Sequence, residues 1–276
     1  MNEKINKALK LAISHLELIE KDSPFYIQGS EWDWAWENSI GQLWQGRLFV
    51  ELNNLDNMNL LEEDNFYNIP HIAMSEDKAR HVCHANHILS HCIKENSVIC
   101  EIGAGNGGVC KNIISSRKDL TYIIFDIPHT LSISSLMLNL SLPKDFNTYY
   151  YSEENFDFEK VIKENNLILL PHFLLPRLPQ KCLDLLISTG CLCEMPEKTF
   201  TSYVDIIKEK LKDQSKLYIE CRAHDNLWIK EGGMMETNIW PYLNSSFTEI
   251  DTINPHCTRE LAQYRLKMYL NKLNEN

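Results

Sequence analysis

The chain has 276 residues, of which 44% are hydrophobic and 24% are charged, which is typical of a soluble globular protein with a sizeable core. Its formal net charge of −11 argues against a nucleic-acid partner, because neutralising phosphates requires clustered Lys and Arg side chains. No apolar stretch approaches the length of a membrane span.

The cysteines indicate a reducing compartment. They are nine in number and scattered along the chain, and the first residues, Met1–Lys7, lack the apolar segment of a secretory signal. Neither Cys191-Leu192-Cys193 nor the neighbourhood of Cys83 has the paired spacing of a structural zinc site. We therefore expect free, buried thiols in a cytoplasmic protein, and we assign no metal ligands.

The first ninety residues differ in pattern from the rest. Apolar residues recur at helical spacing over residues 3–20, and Ser75 is a plausible N-cap for a second helix, with Glu76 and Asp77 in its first turn. We find no convincing strand signal before Val98. Residues 1–92 are accordingly predicted to form a helical cap or lid.

From Ser97 onwards, strand and helix signals alternate, which predicts an α/β fold with a parallel, doubly wound, Rossmann-like sheet over residues 93–276. The predicted strands are Val98–Ile102, Thr121–Ile127, Leu167–Leu170, Leu183–Ser188 and Leu217–Cys221, and the predicted helices are Val109–Ser116, Leu131–Leu140 and about 197–211. Phe247–Ile253 and a stretch near the C-terminus could close the sheet with antiparallel strands, although Glu260–Leu273 also has a helical pattern.

A glycine-rich turn follows the first predicted strand. Gly103-Ala104-Gly105 lets the backbone turn tightly and brings its amides close to a ligand, and the run through Gly108 also satisfies the GxGxxG pattern of dinucleotide sites. Glu101, two residues before the first glycine, distinguishes a dinucleotide site from a site for a cationic amino-acid ligand. Its carboxylate can hold the ammonium end of a cationic amino-acid ligand, directly or through water, whereas it would repel a pyrophosphate. The turn therefore favours S-adenosylmethionine.

Asp126 closes the second predicted strand. An acid at this position can accept hydrogen bonds from both ribose hydroxyls of an adenosyl group, and it would bind the ribose of NAD in the same way. The alternative role for Asp126 is that of a helix N-cap after the strand. Asp126 thus supports nucleoside binding without choosing the ligand.

The motifs resemble those of bacterial sugar O-methyltransferases encoded among genes for surface polysaccharides such as capsule and O-antigen. The resemblance spans about residues 70–270 and rests on Glu101–Gly105, Asp126-Ile127-Pro128, Leu170–Phe173, Asp184–Ser188 and Glu194-Met195-Pro196. Where the family tends to have an aromatic residue after the second glycine, this chain has Asn106. The resemblance implies S-adenosylmethionine as the methyl donor and a sugar hydroxyl as the acceptor.

The predicted donor-binding residues combine the turn, the acid and the lid. They are Glu101, Gly103, Ala104, Gly105, Asp126, Ile127 and Arg80. Arg80 is included because it lies on the helix after Ser75, from which a lid could reach the carboxylate of the donor.

Three residues are candidates for the general base, which a weakly nucleophilic sugar hydroxyl usually needs near neutral pH. His172 follows the third predicted strand, Glu194 follows the fourth, and His224 follows the fifth with Asp225 beside it. We rank His224 and Glu194 ahead of His172. The alternatives are hydrogen-bonded loop histidines and a helix-start acid.

Histidines are unusually dense on the helix predicted after Ser75. His84, His87 and His91 would share one helix face, and His81 lies close to them. A metal site or an acceptor-binding face is one interpretation. The interpretation that we favour is a partly exposed, histidine-rich lid helix.

The leading hypothesis is an O-methyltransferase acting on a sugar hydroxyl of a surface-polysaccharide precursor, with a small-molecule or nucleotide-linked sugar as the acceptor. A homodimer is one assembly compatible with it. A small-molecule N- or O-methyltransferase of secondary metabolism shares every argument about the donor site. A dinucleotide-dependent oxidoreductase is disfavoured by Glu101 and by the late position of the turn in the chain. A methyltransferase-like scaffold without turnover is disfavoured by the intact donor motifs.

Overall fold

The computed structural model describes residues 76–143, 146–151, 157–222, 238–253 and 264–271. The predicted helix at residues 3–20, Ser75 and His224 lie outside the described residues. The helices are α1 Glu76–His91, α2 Gly108–Ser116, α3 Pro128–Ser141, α4 Phe158–Glu164, α5 Glu197–Lys210 and α6 Trp240–Ser246. The strands are β1 Val98–Ile102, β2 Thr121–Asp126, β3 Thr148–Tyr150, β4 Leu167–Pro171, β5 Leu183–Thr189, β6 Leu211–Arg222, β7 Phe247–Ile253 and β8 Tyr264–Asn271.

The eight strands form one sheet in the order β3-β4-β2-β1-β5-β6-β8-β7. The first six strands in that order are parallel, and β8 runs antiparallel to both of its neighbours. From β1 the chain proceeds to β2 and β4 on one side and later to β5 and β6 on the other. The order of the strands thus reverses between β1 and β5, and crevices that bind ligands lie at the carboxyl ends of the strands at such a point. The fold is the predicted α/β, Rossmann-like class.

Both faces of the sheet are covered, which is why its central strands are almost continuously apolar. One face packs on α4, α5 and α6, represented by Phe158, Phe200 and Trp240. The other face packs on α1, α2 and α3, and its core includes Ile88 and Ile113. None of the helices in the described ranges is long and apolar enough to cross a membrane.

The cysteines that the structure describes are free, as the sequence predicts. Cys100, Cys110 and Cys221 lie in the core with no exposed surface. Burial raises the pKa of each of these thiols well above its ordinary value. These side chains therefore behave as small core residues.

The helical alternative for Glu260–Leu273 is wrong over the residues that the structure describes. Tyr264–Asn271 is the strand β8, which pairs on one side with β6 and on the other with β7. Leu266 and Met268, which are two residues apart, are both buried in the same core face. A period of two and hydrogen bonding on both sides outweigh the local helical pattern.

The short elements β3, α4 and α6 were not predicted from the sequence, and β6 begins earlier than the predicted Leu217. Its first part contains an irregularity at Gln214, which has a φ of 62°. The remaining predicted helices and strands occur within a few residues of their expected bounds.

Helix α1 runs antiparallel to β6. Its last residue, His91, accepts a hydrogen bond through its carbonyl oxygen from Lys216 Nζ, near the amino end of the paired part of β6. His84, two turns earlier in the helix, contacts Tyr218 and Glu220 further along the strand. The N-terminal turns of α1 therefore point to the carboxyl edge of the sheet, where the predicted ligand site lies.

Candidate functional site

The glycine turn at the end of β1 has the backbone geometry that only glycine adopts easily. Gly103, Gly105 and Gly107 have φ angles of 75°, 59° and 79°. Gly103 N–H donates to the carbonyl oxygen of Phe125 at 2.9 Å, which ties the turn to the end of β2. A Cβ on Gly103 would overlap Cys191, and one on Gly107 would lie 2.9 Å from the side chain of Leu138. The turn is therefore enclosed on two sides.

Gly105 differs from these two glycines because its outer side is open. A Cβ built there would meet nothing within 4 Å. Its backbone is nevertheless fixed, because its N–H donates to Asp126 Oδ2 at 3.1 Å and its carbonyl oxygen accepts from Ser134 Oγ at 2.6 Å. Gly105 thus presents a rigid stretch of backbone that a ligand can approach closely.

Asp126 lies at the carboxyl end of β2 and is nearly buried. One carboxylate oxygen accepts from Gly105 N–H, and the other accepts from Ile127 N–H at 2.8 Å. Burial raises the pKa of Asp126 to about 7, and backbone hydrogen bonds from Gly105, Ile127 and Ala104 oppose the shift. The alternative role as a helix N-cap is not realised, because Ile127 is the N-cap residue of α3. Asp126 instead joins the turn to β2.

Glu101 precedes the turn on β1 and is only 1% exposed. Its Oε2 accepts a hydrogen bond from the Tyr122 hydroxyl at 2.7 Å. Burial and the neighbouring Glu101 charge raise the pKa of Tyr122 well above its ordinary value, so the phenol stays a donor. The carboxylate predicted to hold an ammonium group is thus present in the interior beside the turn.

The loop after β5 also borders the turn, which the sequence did not reveal. Cys191 packs directly on Gly103, and burial together with the charges of Asp126 and Glu194 raises the pKa of its thiol. Gly190 has a φ of 82°, and a Cβ there would meet nothing within 4 Å. The available sequence signal was the position of Gly190 directly after an apolar strand, which is where ligand-facing turns occur in this type of sheet.

The candidates for the general base are not all brought together. His172 begins a 3-10 helix after β4 and is half-buried, while Glu194 ends a 3-10 helix after β5 and is exposed. Two strands, β2 and β1, separate β4 from β5, which puts their ends about 14 Å apart at the usual strand spacing. His172 and Glu194 therefore serve different parts of the edge. His224 and the side chain of Arg80 lie outside the described residues.

A buried polar network joins α1 to β6. His84 Nδ1 lies 2.9 Å from the Tyr218 hydroxyl oxygen, and His84 Nε2 lies 3.3 Å from Glu220 Oε1. All three side chains are completely buried. The helix is partly exposed, as expected, but His84 itself is buried, where the Tyr218 hydroxyl hydrogen-bonds to its imidazole and the Glu220 carboxylate lies close to it.

His84, His87 and His91 share one helix face, as predicted. The rings of His87 and His91 are 4.7 Å apart, and those of His84 and His87 each lie 5.8 Å from the Tyr218 ring. His87 is half-buried and His91 is exposed. Within the described ranges, no group of three or more His, Cys, Asp or Glu side chains is arranged to hold a metal ion.

The buried charges of the described residues are unevenly distributed over the sheet. Glu101, Asp126 and Glu220 lie at or near the carboxyl ends of β1, β2 and β6, and all are acidic. Lys210 lies at the opposite edge, at the end of α5. The carboxyl edge thus offers a potential suited to a cation and unfavourable to a pyrophosphate.

No protein-family model matches this sequence, and the comparison with curated proteins gives no match. Among solved structures, the chain is similar to the N-methyltransferase NodS from Bradyrhizobium japonicum in complex with S-adenosylhomocysteine. The two share 12% identity with a TM-score of 0.48, over 78% of this chain and 97% of that one.

Two further similar structures are also methyltransferases. One is the 1,6-didemethyltoxoflavin-N1-methyltransferase from Burkholderia thailandensis, with 12% identity, a TM-score of 0.46, and coverage of 82% of this chain and 89% of that one. The other is an O-methyltransferase family 2 protein from Planctomyces limnophilus in complex with apigenin. It shares 12% identity with a TM-score of 0.45, over 73% of this chain and 63% of that one, so the alignment spans less than two thirds of its length.

Proposed function

We propose that this protein is an S-adenosylmethionine-dependent methyltransferase that binds its donor at the glycine turn Gly103–Gly108. The observation that carries the proposal is Glu101, a carboxylate 1% exposed beside that turn. A buried acid there attracts the ammonium group of an amino-acid ligand and repels the pyrophosphate of a dinucleotide. The acidic carboxyl edge as a whole favours the same choice.

Each donor-site residue has a distinct part in this proposal. Asp126 accepts hydrogen bonds from the ribose hydroxyls, for which an ionised carboxylate is the stronger acceptor. Glu101 holds the ammonium group, directly or through water. Gly105 allows the donor to approach the backbone on its open side, and Ala104 and Ile127, next to Gly105 and Asp126 in the chain, contact the same ligand. Arg80 remains a proposed contact of the donor carboxylate.

Methyl transfer requires the acceptor to lie in line with the carbon–sulfur bond. The acceptor atom attacks the methyl carbon, the carbon–sulfur bond breaks, the sulfonium becomes a neutral thioether, and the acceptor's proton passes to a base. Positioning supplies much of the rate enhancement, since the sulfonium already activates the methyl group. Because Glu194 and His224 follow adjacent strands, we propose them as the base candidates on the acceptor side. His172 follows β4 beside β2, nearer the proposed ribose site.

The acceptor implied by the resemblance is a sugar hydroxyl of a surface-polysaccharide precursor, and this is the class to assay first. Nucleotide-linked sugars should be tested beside free sugars. The former carry a pyrophosphate, which the acidic edge disfavours, so the comparison shows whether the nucleotide hinders binding. Small-molecule amines and phenols form the comparison set, since N- and O-methylation place the same demands on the donor site.

A binding measurement tests the proposal directly. Calorimetric titration with S-adenosylhomocysteine, NAD and NADP should give binding for the first ligand alone. Binding of a nicotinamide cofactor without binding of S-adenosylhomocysteine would contradict the proposed function.

The role of Glu101 is tested by Glu101→Gln, which keeps the size of the side chain and removes its charge. We expect the affinity for S-adenosylhomocysteine to fall about tenfold, because a charge-assisted contact with the ammonium is lost. Affinity for 5′-methylthioadenosine, which lacks the amino-acid end, should be unchanged. Glu164→Gln, at the exposed end of α4, is the matched control. Equal losses for both ligands would contradict the assignment.

A further inference from the structure

A histidine from α1 packs on the residue that follows the glycine turn. The half-buried imidazole of His81 lies against Gly108, the first residue of α2, and a Cβ at that position would overlap the ring. Gly108 is absent from the residues with positive φ, so its backbone does not itself require glycine. A side chain at position 108 would therefore displace the imidazole of His81 from this place.

The helix that carries His81 is held against β6 one turn further along, at His84. His84 lies on the same face by its spacing of three residues, and Tyr218 and Glu220 hold it at 2.9 Å and 3.3 Å. Because α1 runs antiparallel to β6, His81 lies nearer the carboxyl edge than His84. The network on β6 thus anchors a histidine beside the turn.

The chemistry of the donor explains what a histidine can do there. The amino-acid end of S-adenosylmethionine carries a carboxylate as well as an ammonium group. The buried charged side chains described at this edge, Glu101, Asp126 and Glu220, would repel that carboxylate. An imidazole N–H is a suitable donor to it in either charge state.

We propose that His81 binds the carboxylate of the methyl donor and that His84 is the positioning residue that holds it there. This inference rests on the proposed function. From the sequence this carboxylate was predicted to contact Arg80, and the contact with Gly108 adds the adjacent residue, His81, as a second donor to it. Helix α1 is then a wall of the donor site as well as a support for the sheet.

The test compares two ligands that differ only in the carboxylate. S-adenosylhomocysteine has it, and S-adenosyl-3-thiopropylamine retains the ammonium group but lacks the carboxylate. His81→Phe keeps a ring against Gly108 and removes the hydrogen-bond donors. By calorimetry it should bind S-adenosylhomocysteine about tenfold more weakly and the amine analogue unchanged. His81→Gln, which regains an N–H donor, should recover part of the loss.

The matched control is His91→Phe, on the same helix at the opposite edge, and it should leave both affinities unchanged. Gly108→Ala offers a second approach that leaves His81 in the sequence. Its added Cβ displaces the imidazole, while alanine suits a helix, so the protein should fold and should show the same selective loss.

The positioning role of His84 is tested by His84→Asn, with thermal melting as a check on folding. If His84 positions His81, the variant should lose its preference for S-adenosylhomocysteine over the amine analogue. If His84 is purely structural, the variant should bind both ligands more weakly by the same factor. Equal weakening therefore contradicts the role.

Two further outcomes distinguish this inference from the function on which it rests. If the unmodified protein does not bind S-adenosylhomocysteine, the proposed function is wrong and this inference falls with it. If it binds and His81→Phe retains the same preference between the two ligands, the assignment of His81 alone is wrong.

Discussion

The two edges of the sheet carry their charges in different ways. At the amino edge, charged side chains pair with one another, the buried Lys210 with Glu209 at 3.7 Å and the half-exposed Lys212 with Asp184 at 2.8 Å. At the carboxyl edge, buried acids are held by neutral donors, Asp126 by backbone N–H groups and Glu101 by the Tyr122 hydroxyl. At the amino edge, the charges of these side chains are balanced by other side chains of the described residues. At the acidic edge, we propose that a cationic ligand is the partner of these carboxylates.

The two edges also differ in how readily their carboxyl groups ionise, as Asp126 shows. Burial raises the pKa of this carboxyl to about 7, so it ionises less readily in the ligand-free protein than it would in water. Ion pairs at the amino edge favour the charged forms instead, as Arg117 does by lowering the pKa of Asp119. An aspartate thus forms an ion pair at one edge, and at the other an aspartate accepts backbone hydrogen bonds and is the proposed acceptor for the ribose.

The largest expected effect is at Asp126. Asp126→Ala should weaken binding of S-adenosylhomocysteine by more than about tenfold, because hydrogen bonds from the ribose to a charged acceptor are lost. Calorimetry measures the change. Asp213→Ala, which removes an acid at the amino edge, is the control and should leave affinity unchanged. An unchanged affinity in Asp126→Ala would mean that the carboxyl edge does not bind the ligand through this acid.

The pH dependence of binding sharpens the comparison. Ribose hydroxyls favour ionised Asp126, whose pKa in the ligand-free protein is about 7, so binding below that pH must release a proton. Affinity for S-adenosylhomocysteine should therefore rise about tenfold per pH unit towards pH 7 and level off above it. Calorimetry between pH 5.5 and 8.5, in buffers of different ionisation enthalpy, measures both affinity and proton release. Asp126→Asn should lack this dependence, and a flat profile in the unmodified protein would refute the assignment.

The smallest expected effect is at the amino edge. Lys212→Ala removes a half-exposed ion pair with Asp184 and should lower the free energy of unfolding by less than about 1 kcal/mol. Urea denaturation measures the change, and binding of S-adenosylhomocysteine should be unaffected. A loss of affinity would mean that the two edges are coupled.

The sequence predicted what local patterns determine. Leu167–Leu170 is identifiable as a buried strand because it is continuously apolar, and Gly103–Gly105 as a turn because positive φ angles favour glycine. Asp126 was predicted as a site residue because it closes such a strand, and Glu101 because it lies two residues before the first glycine of the turn. These features depend on residues that are neighbours in the chain.

Features that depend on distant residues were not predicted. His84 and Tyr218 are 134 residues apart in the chain, so the helical spacing of the histidines gave no sign that one of them is buried. The available signal was Glu220, a single acid within the apolar segment Leu217–Cys221, since a buried acid needs a partner. β8 was ambiguous because its pairing with two other strands is absent from the local pattern.

The reactivity of the buried thiols reports when the core of the protein opens. Cys100, Cys110 and Cys221 have no exposed surface and raised pKa values, so a thiol reagent can reach them only when the core opens. Cys191, packed against Gly103, lies beside the proposed donor instead. Alkylation followed residue by residue by mass spectrometry would therefore separate ligand occupancy from global unfolding in the unlabelled, unmutated chain.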